Sequence, residues 1–142
     1  MISFNYESDF TLENESQFES WIQEIIRSEH KSEGEINYIF CDDEYLLEIN
    51  QKYLDHDYYT DIISFDYSVA NELHGDIFIS AERVAENAQT YNISFQQELL
   101  RVMAHGILHY CGYKDKSDDD TRLMRQKEDE KISMFHVEHR NT

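Results

Sequence analysis

The spacing of apolar residues along the first part of the chain switches between the periods of strands and helices. Residues 2–6 alternate apolar and polar side chains and predict a short strand, and residues 36–40 do the same. Between them, apolar residues at helical spacing predict a helix over residues 15–32, with Gly34 as its terminator. Asp42 or Asp43 is placed to cap a further helix.

The rest of the chain continues this mixture and ends in helices. Residues 61–67 and 75–80 are rich in β-forming side chains and predict two more strands. Helices are predicted in three places: after Ser80, from Ser94 to an end at Gly112, and after the acidic stretch 117–120. We therefore expect one α+β layered domain over residues 1–142, with a small central mixed sheet of about four strands and about five helices.

The charge of the chain argues against unaided binding to nucleic acid. Its formal net charge is −18, whereas nonspecific nucleic-acid binding relies on Lys and Arg to neutralise phosphates. Half of the 12 basic residues nevertheless lie between positions 114 and 131, where acidic residues nearly balance them. This segment is either a solvated helix with ion pairs between successive turns or a less repulsive face beside a functional site.

The sequence shows no sign of a membrane span or of export. No apolar run approaches the roughly 20 residues of a span, and the N-terminus lacks the basic and apolar segments of a signal peptide. Cys41 and Cys111 are expected to be free thiols, as in a reducing compartment. We expect a cytoplasmic protein.

The helix expected before Gly112 carries two histidines, His105 and His109, four residues apart. At this spacing the Cβ atoms are about 5–6 Å apart on one helix face, so both imidazoles can reach one metal ion. Gly112 can end the helix and reverse the chain, which would let Asp115 add a carboxylate oxygen. The pattern predicts a divalent metal, zinc above others, on His105, His109 and Asp115. The alternative is two histidines satisfied by hydrogen bonds in a polar cleft.

Such a metal site would activate water for hydrolysis. A metal with three protein ligands keeps a position open for water and lowers its pKa towards about 7, which suits cleavage of an ester, amide or phosphodiester. Zinc proteases often place Glu after the first His as a general base, but here that residue is Gly106. The general base is left unassigned. His136 and His139 also have ligand-like spacing, and we expect them to lie in solvent.

Three blocks of sequence around these histidines occur in a characteristic order. They are Thr-Asp-Ile-Ile-Ser-Phe at 60–65, Gly-Asp-Ile-Phe-Ile-Ser at 75–80 and His-Gly-x-Leu-His-x-x-Gly-Tyr at 105–113. Together with Asn50 and Tyr53 on the preceding helix, they resemble the YbeY family, the bacterial single-strand-specific endoribonucleases of ribosomal RNA maturation. The likeness extends from about residue 50 to residue 130.

The resemblance implies an α+β fold with a zincin-like metal helix and a zinc cofactor. It implies a metal-dependent endoribonuclease that matures 16S ribosomal RNA at its 3′ end and serves ribosome quality control. It further implies the small ribosomal subunit as a partner, with a ribosomal or GTPase protein as a possible second one.

Two positions depart from the pattern of that family. Lys114 and Asp115 stand where the family usually has Asp and a third His ligand, so Asp115 would complete a two-His, one-carboxylate site. Leu54 stands where the family usually has Arg, a natural phosphate clamp. Lys114 or Lys116 could replace that Arg.

Four further residues are candidates for the cleft around the metal, each with a plainer interpretation. Asp61 and Asp76 would orient metal ligands, or would only form caps and turns at strand starts. Ser64 would face the cleft, or would be the polar partner in an alternating strand. Glu98, seven residues before His105, would be a carboxylate behind the ligands.

Two other functions are compatible with the same residues. A peptidase could hold an extended peptide along residues 75–80 if these form an exposed edge strand, although Gly106 leaves the protease base missing. A non-catalytic ribosome assembly factor with structural zinc would explain the changed ligand and the missing Arg. Removal of a structural metal should unfold the domain, whereas removal of a catalytic metal can leave it folded and inactive.

Overall fold

The computed structural model describes the backbone of residues 1–140 and the side chains of residues 1–135. Within this part of the chain there are four strands and five helices. Their order is β1 (Ile2–Tyr6), α1 (Glu15–Ser28), β2 (Ser32–Cys41), α2 (Asp43–Leu54), β3 (Ile62–Asp66), β4 (Glu72–Ser80), α3 (Ala81–Tyr91), α4 (Phe95–Tyr110) and α5 (Asp118–Arg140). None of the described helices combines the length and the apolar character that crossing a bilayer requires.

The strands form one mixed sheet in the order β1-β2-β4-β3. β1, β2 and β4 are parallel, and β3 runs antiparallel to β4. The expected α+β fold with a small mixed sheet is confirmed. The expectation that residues 75–80 form an exposed edge is wrong, because β2 and β4 exchange hydrogen bonds on one side of β4 and β3 pairs with its other side. A peptide could not be added to β4.

One face of the sheet carries the main core. Alternate residues of β2, including Tyr38 and Phe40, are fully buried beneath α1 and α4, as are Ile77 and Ile79 of β4. Burial of each such side chain contributes about 1.5–3 kcal/mol. α5 packs on α4 and α1 and so forms a further layer over that face.

The opposite face is covered only in part. α2 packs on β3 and β4 there and closes a smaller cluster around Cys41, Leu46 and Ile63. The rest of this face carries polar residues, among them Asn37 and Asp76, whose side chains are hydrogen bonded to each other at 3.0 Å.

Three helices begin at the N-caps predicted from the sequence, whereas one helix ends at a different residue from the predicted one. The side chains of Asp42, Ser80 and Ser94 accept hydrogen bonds from the first turns of α2, α3 and α4, as expected of N-caps. α1, however, ends at Ser28, and the turn after it is made by His30 with φ 60°. Gly34 lies inside β2 and is not the terminator that its position suggested.

Candidate metal centre

α4 carries both histidines and is held rigidly against the sheet. Ten of its 16 residues are buried. Gly106 lets the helix approach closely, since a Cβ atom there would lie 3.0 Å from Ile77 Cδ1. His105 and His109 lie on the half-buried side of this helix, so their backbone has little freedom to move.

The chain reverses directly after α4. Gly112 has φ +105°, a conformation that favours glycine, and its N–H donates to His109 O at 3.0 Å. The Tyr113 N–H donates to Leu108 O at 3.1 Å, which closes the helix end. This turn brings Asp115 back towards the histidines, and Thr121 Oγ1 of α5 holds the carbonyl of Asp115 at 3.1 Å.

Three ligand-type atoms converge at this turn. His105 Nε2 and His109 Nε2 are 2.9 Å apart, and Asp115 Oδ2 lies 3.2 Å from the first and 3.3 Å from the second. Ligands of a tetrahedral zinc at about 2.0–2.1 Å are separated by roughly 3.3 Å. The three atoms therefore have nearly the dimensions of one face of such a site.

The outer nitrogens of the two rings determine which atoms face inward. His109 Nδ1 lies 2.9 Å from Tyr113 O, a carbonyl that can only accept, so this nitrogen carries the proton. His105 Nδ1 lies 2.7 Å from Glu128 Oε2 and donates to it. Both Nε2 atoms then present lone pairs towards the Asp115 carboxylate. Three acceptors this close are stabilised by a cation or a proton between them, and this donor set fits a divalent metal.

Glu128 is the residue at this site that sequence reasoning missed. Its carboxylate is buried on α5, where Arg101 donates to Oε1 at 3.0 Å while Oε2 accepts from His105. Burial opposes protonation of His105, but Glu128, followed by Asp115 and Asp61, outweighs it and raises the pKa of His105. The segment 114–131 resembled a solvated helix by its charge pattern, and no local signal separated Glu128 from its acidic neighbours.

A cavity of about 250 Å³ adjoins the three convergent atoms. Asp61 and Glu98 both line it, so the structure brings these two candidates to the site. Burial raises the pKa of Asp61, whose carboxylate is 3.4 Å from Asn87 Nδ2. Burial, followed by the charge of Asp61, also raises the pKa of Glu98.

The other two cleft candidates lie further off. Ser64 pairs with Ile77 across β3 and β4 and so shares the sheet face of α4, but it does not line the cavity. Asp76, the residue before Ile77 in β4, lies on the opposite face of the sheet, where its carboxylate accepts a hydrogen bond from Asn37. The structure does not bring Asp76 to the metal ligands, because neighbouring residues of a strand point to opposite faces.

The basic residues beside the cavity come from α4 and α5. Arg101 and Arg125 line it, whereas Lys114 lines a separate pocket with Cys111 and Gly112. Leu54 is exposed at the end of α2. Lys114 therefore does not line the cavity in place of the missing Arg, and the replacement of that Arg by Lys116 stays a prediction.

The two cysteines do not contribute to the site. Cys41 and Cys111 are both free, as expected. Cys111 packs against the main core, and burial raises the pKa of its thiol to about 11. The side chains of His136 and His139 lie outside the described residues.

Comparisons with known proteins identify relatives of nearly the same length as this chain. The family model described as Endoribonuclease YbeY matches residues 3–136. A Flavobacterium johnsoniae protein named Endoribonuclease YbeY is 68% identical over 97% of this chain and 99% of its own length. A namesake from Flavobacterium psychrophilum is 66% identical over 96% of this chain and 98% of its own length.

A solved structure has a similar fold. The solution structure of a Thermotoga maritima protein superimposes with a TM-score of 0.70 at 27% identity, over 99% of this chain and 93% of that one. The family model and the two relatives each cover nearly the whole chain. The chain belongs to the Endoribonuclease YbeY family.

Proposed function

We propose that this protein is a metal-dependent, single-strand-specific endoribonuclease that matures 16S ribosomal RNA at its 3′ end and serves ribosome quality control in the cytoplasm. One observation carries the proposal: three acceptor atoms, 2.9 to 3.3 Å apart, converge beside an open cavity. Relatives of nearly full-length similarity bear the name of an endoribonuclease. A hydrolytic metal site of this shape suits cleavage of a phosphodiester.

The ligands would be His105, His109 and Asp115, and the metal would be zinc. When bound, it would act as a Lewis acid towards water and the phosphate oxygens. A carboxylate in place of a third imidazole adds negative charge, which should weaken that acidity and admit manganese or nickel as well. Glu128 and the carbonyl of Tyr113 would orient the two rings.

Arg125 is the group best placed to meet the RNA phosphate. It lines the cavity, its side chain is 58% exposed, and its only ion pair among the described residues is a long one of 3.5 Å to Glu128. Arg101, by contrast, is bound at 3.0 Å to Glu128 and at 2.8 Å to Asp129. Arg125 is therefore free to turn towards a phosphate, whereas Arg101 holds Glu128 in place.

A partner must supply much of the affinity for RNA. With a net charge of −18 the protein repels a polyanion at long range. Binding to the small ribosomal subunit, with contacts to a ribosomal protein or a GTPase, would place the cavity on the RNA despite that repulsion.

The test is cleavage of a ribosomal RNA precursor by the metal-loaded protein. We expect cleavage that a chelator abolishes and that His109→Ala abolishes, whereas the control His56→Ala, at an exposed histidine away from the site, cleaves normally. Folding is followed by circular dichroism in parallel. A folded, metal-loaded protein that never cleaves, even with small subunits present, would favour the assembly factor, as would unfolding on chelation.

Arg125→Ala tests the phosphate contact. Loss of a charge-assisted hydrogen bond of about 1.5–3 kcal/mol should lower kcat/KM by about tenfold to a hundredfold, and Arg125→Lys should restore part of it. Arg122→Ala, on the same helix and 77% exposed, is the matched control. Equal rates for Arg125→Ala and the control would show that no phosphate is bound there.

A further inference from the structure

The cavity beside the predicted metal ligands is lined in part by apolar side chains. Ile62, Val102 and Met124 form an apolar part, and Tyr91 stands at its edge with 59% of its surface exposed. At about 250 Å³ it is smaller than the roughly 300–1,000 Å³ typical of clefts for drug-sized ligands. Its size and apolar walls suit a single flat ring system.

Glu98 introduces an unsatisfied acceptor into this cavity. The residue is 4% exposed and lies in the first turn of α4. Its Oε1 has no hydrogen-bond partner, the one such buried side-chain atom among the described residues. Buried acceptors are nearly always paired in folded proteins, so an unpaired one that lines a cavity indicates a ligand that donates to it.

Neighbouring groups do not fill this role. Arg101 is bound to Glu128 and Asp129, and the Asp61 carboxylate is itself an acceptor. A second metal ion is not favoured either, because the metal-type cluster found in the described part of the chain contains His105, His109 and Asp115 but not Glu98. A neutral donor on a flat, apolar body fits both the unpaired acceptor and the apolar walls of the cavity.

We propose that this cavity is a nucleobase subsite and that Glu98 Oε1 accepts a hydrogen bond from an exocyclic amino group of the base. The inference rests on the proposed function, since it places a base of the RNA next to the scissile phosphate. Cytosine, adenine and guanine carry such an amino group and uracil does not, and Glu pairs with the cytosine amino group in nucleic-acid recognition. Tyr91 would stack on the base at the mouth of the cavity.

The first experiment measures binding without cleavage. The metal-loaded protein is titrated with CMP and with UMP while the methyl signals of Ile62, Val102 and Met124 are followed by NMR. We expect CMP to shift these signals and to bind about tenfold tighter than UMP. Glu98→Gln should remove or invert this ratio because its amide can donate to the uracil carbonyl, and the exposed control Glu86→Gln should retain it.

The ratio of the affinities for CMP and UMP separates base recognition from folding. If Glu98 had a purely structural role, its substitution would weaken the binding of both nucleotides equally. Tyr91→Ala provides a second variant at an exposed site that should fold in any case. It should weaken CMP and UMP alike by about tenfold, with their ratio unchanged. Equal CMP and UMP binding by the unmodified protein, or a CMP preference that Glu98→Gln leaves intact, would overturn the proposal.

Cleavage then separates this inference from the function on which it rests. Single-stranded RNAs that differ only by cytosine or uracil beside the cleaved bond should be cut with the same preference. Cleavage without any base preference, together with equal CMP and UMP binding, would overturn the subsite and leave the nuclease intact. A CMP preference in a protein that cuts no RNA would support the subsite and contradict the nuclease.

Discussion

At the scale of single residues, the His105 ring is oriented by Glu128, which lies 23 positions further along the chain. His109 is directed in the same way by the carbonyl of Tyr113. These two hydrogen bonds keep both protons on Nδ1 and leave both Nε2 atoms available. The spacing of the histidines predicted their common face, but not the groups that orient them. The ligand assignment itself stays a prediction until a metal is measured.

Asp115→Ala tests the third ligand. The variant should lose zinc affinity by more than the about 10–100-fold that loss of an outer-shell partner costs, because a bond to the metal itself is removed. Metal content after dialysis and affinity against a chelating dye are the measurements. Asp119→Ala, at an acidic residue 90% exposed, should bind zinc normally. Unchanged zinc content in Asp115→Ala would rule that residue out as a ligand.

Glu128→Gln tests the orientation of His105. Removing the charge behind the ring should weaken zinc binding by about 10–100-fold while leaving the fold intact. Asp129→Asn is the control, since it also removes a partner of Arg101 but touches no metal ligand. If both variants bind zinc as the unmodified protein does, Glu128 serves packing rather than the metal site.

At the scale of elements, the turn between α4 and α5 decides whether the third ligand can arrive. A continued helix would place residue 115 away from the face of His105 and His109, so the chain must leave the helix by a residue that tolerates positive φ. Gly112 is that residue, at φ +105°. Its role was predicted from sequence because turn chemistry is local. The end of α1 was mispredicted because His30, not a glycine, adopts the left-handed conformation there.

Gly112→Ala should therefore act through the backbone alone. Apart from the two chain neighbours, no atom lies within 4 Å of the added Cβ, so crowding against packed residues contributes nothing. The strain of positive φ should reduce the free energy of unfolding by about 1–2 kcal/mol and should weaken zinc binding by displacing Asp115. Urea unfolding and zinc titration measure the two effects, with Lys114→Ala, at an exposed residue of the same turn, as a control. A variant as stable as the control would mean that the turn is not strained.

At the scale of the whole molecule, an ion pair that is almost entirely buried connects the end of α1 to α5. Lys131 is 1% exposed, and its Nζ lies 2.8 Å from Glu29 and 2.9 Å from Ser28 Oγ. Trp21 adds a hydrogen bond to the Lys131 carbonyl at 2.7 Å. Because a buried charge without its partner is strongly destabilising, this pair should make the packing of the two helices sensitive to pH.

The direction in which stability changes with pH follows from the pKa of Glu29. Burial raises the pKa of its carboxyl, but hydrogen bonds from Lys131 and Tyr113 outweigh burial and lower the pKa below the ordinary value of 4.5. A lowered folded-state pKa contributes stability above the unfolded value, and that stability is lost as pH falls through the folded value. Urea unfolding between about pH 7 and pH 3 should show that the free energy of unfolding falls more steeply towards acid pH for the unmodified protein than for Glu29→Gln. Parallel curves for the two would contradict the assignment, and Glu24→Gln, at a more exposed pair, is the control.

By itself, the sequence determined the features that depend on neighbours in the chain. The period of apolar residues set the strands and helices, side-chain caps set most helix starts, and the four-residue spacing placed His105 and His109 on one face. These features are local because backbone conformation and turn chemistry depend on residues only a few positions apart.

Only the tertiary structure decided which distant groups meet. It placed β4 inside the sheet, turned Asp76 to the face away from the histidines, and brought Glu128 of α5 against His105 of α4. It also left Glu98 unpaired at the wall of a cavity. The reason is physical: strand order and helix contacts follow from how the apolar faces of remote elements pack together, and a periodic pattern does not say which element its apolar face will meet.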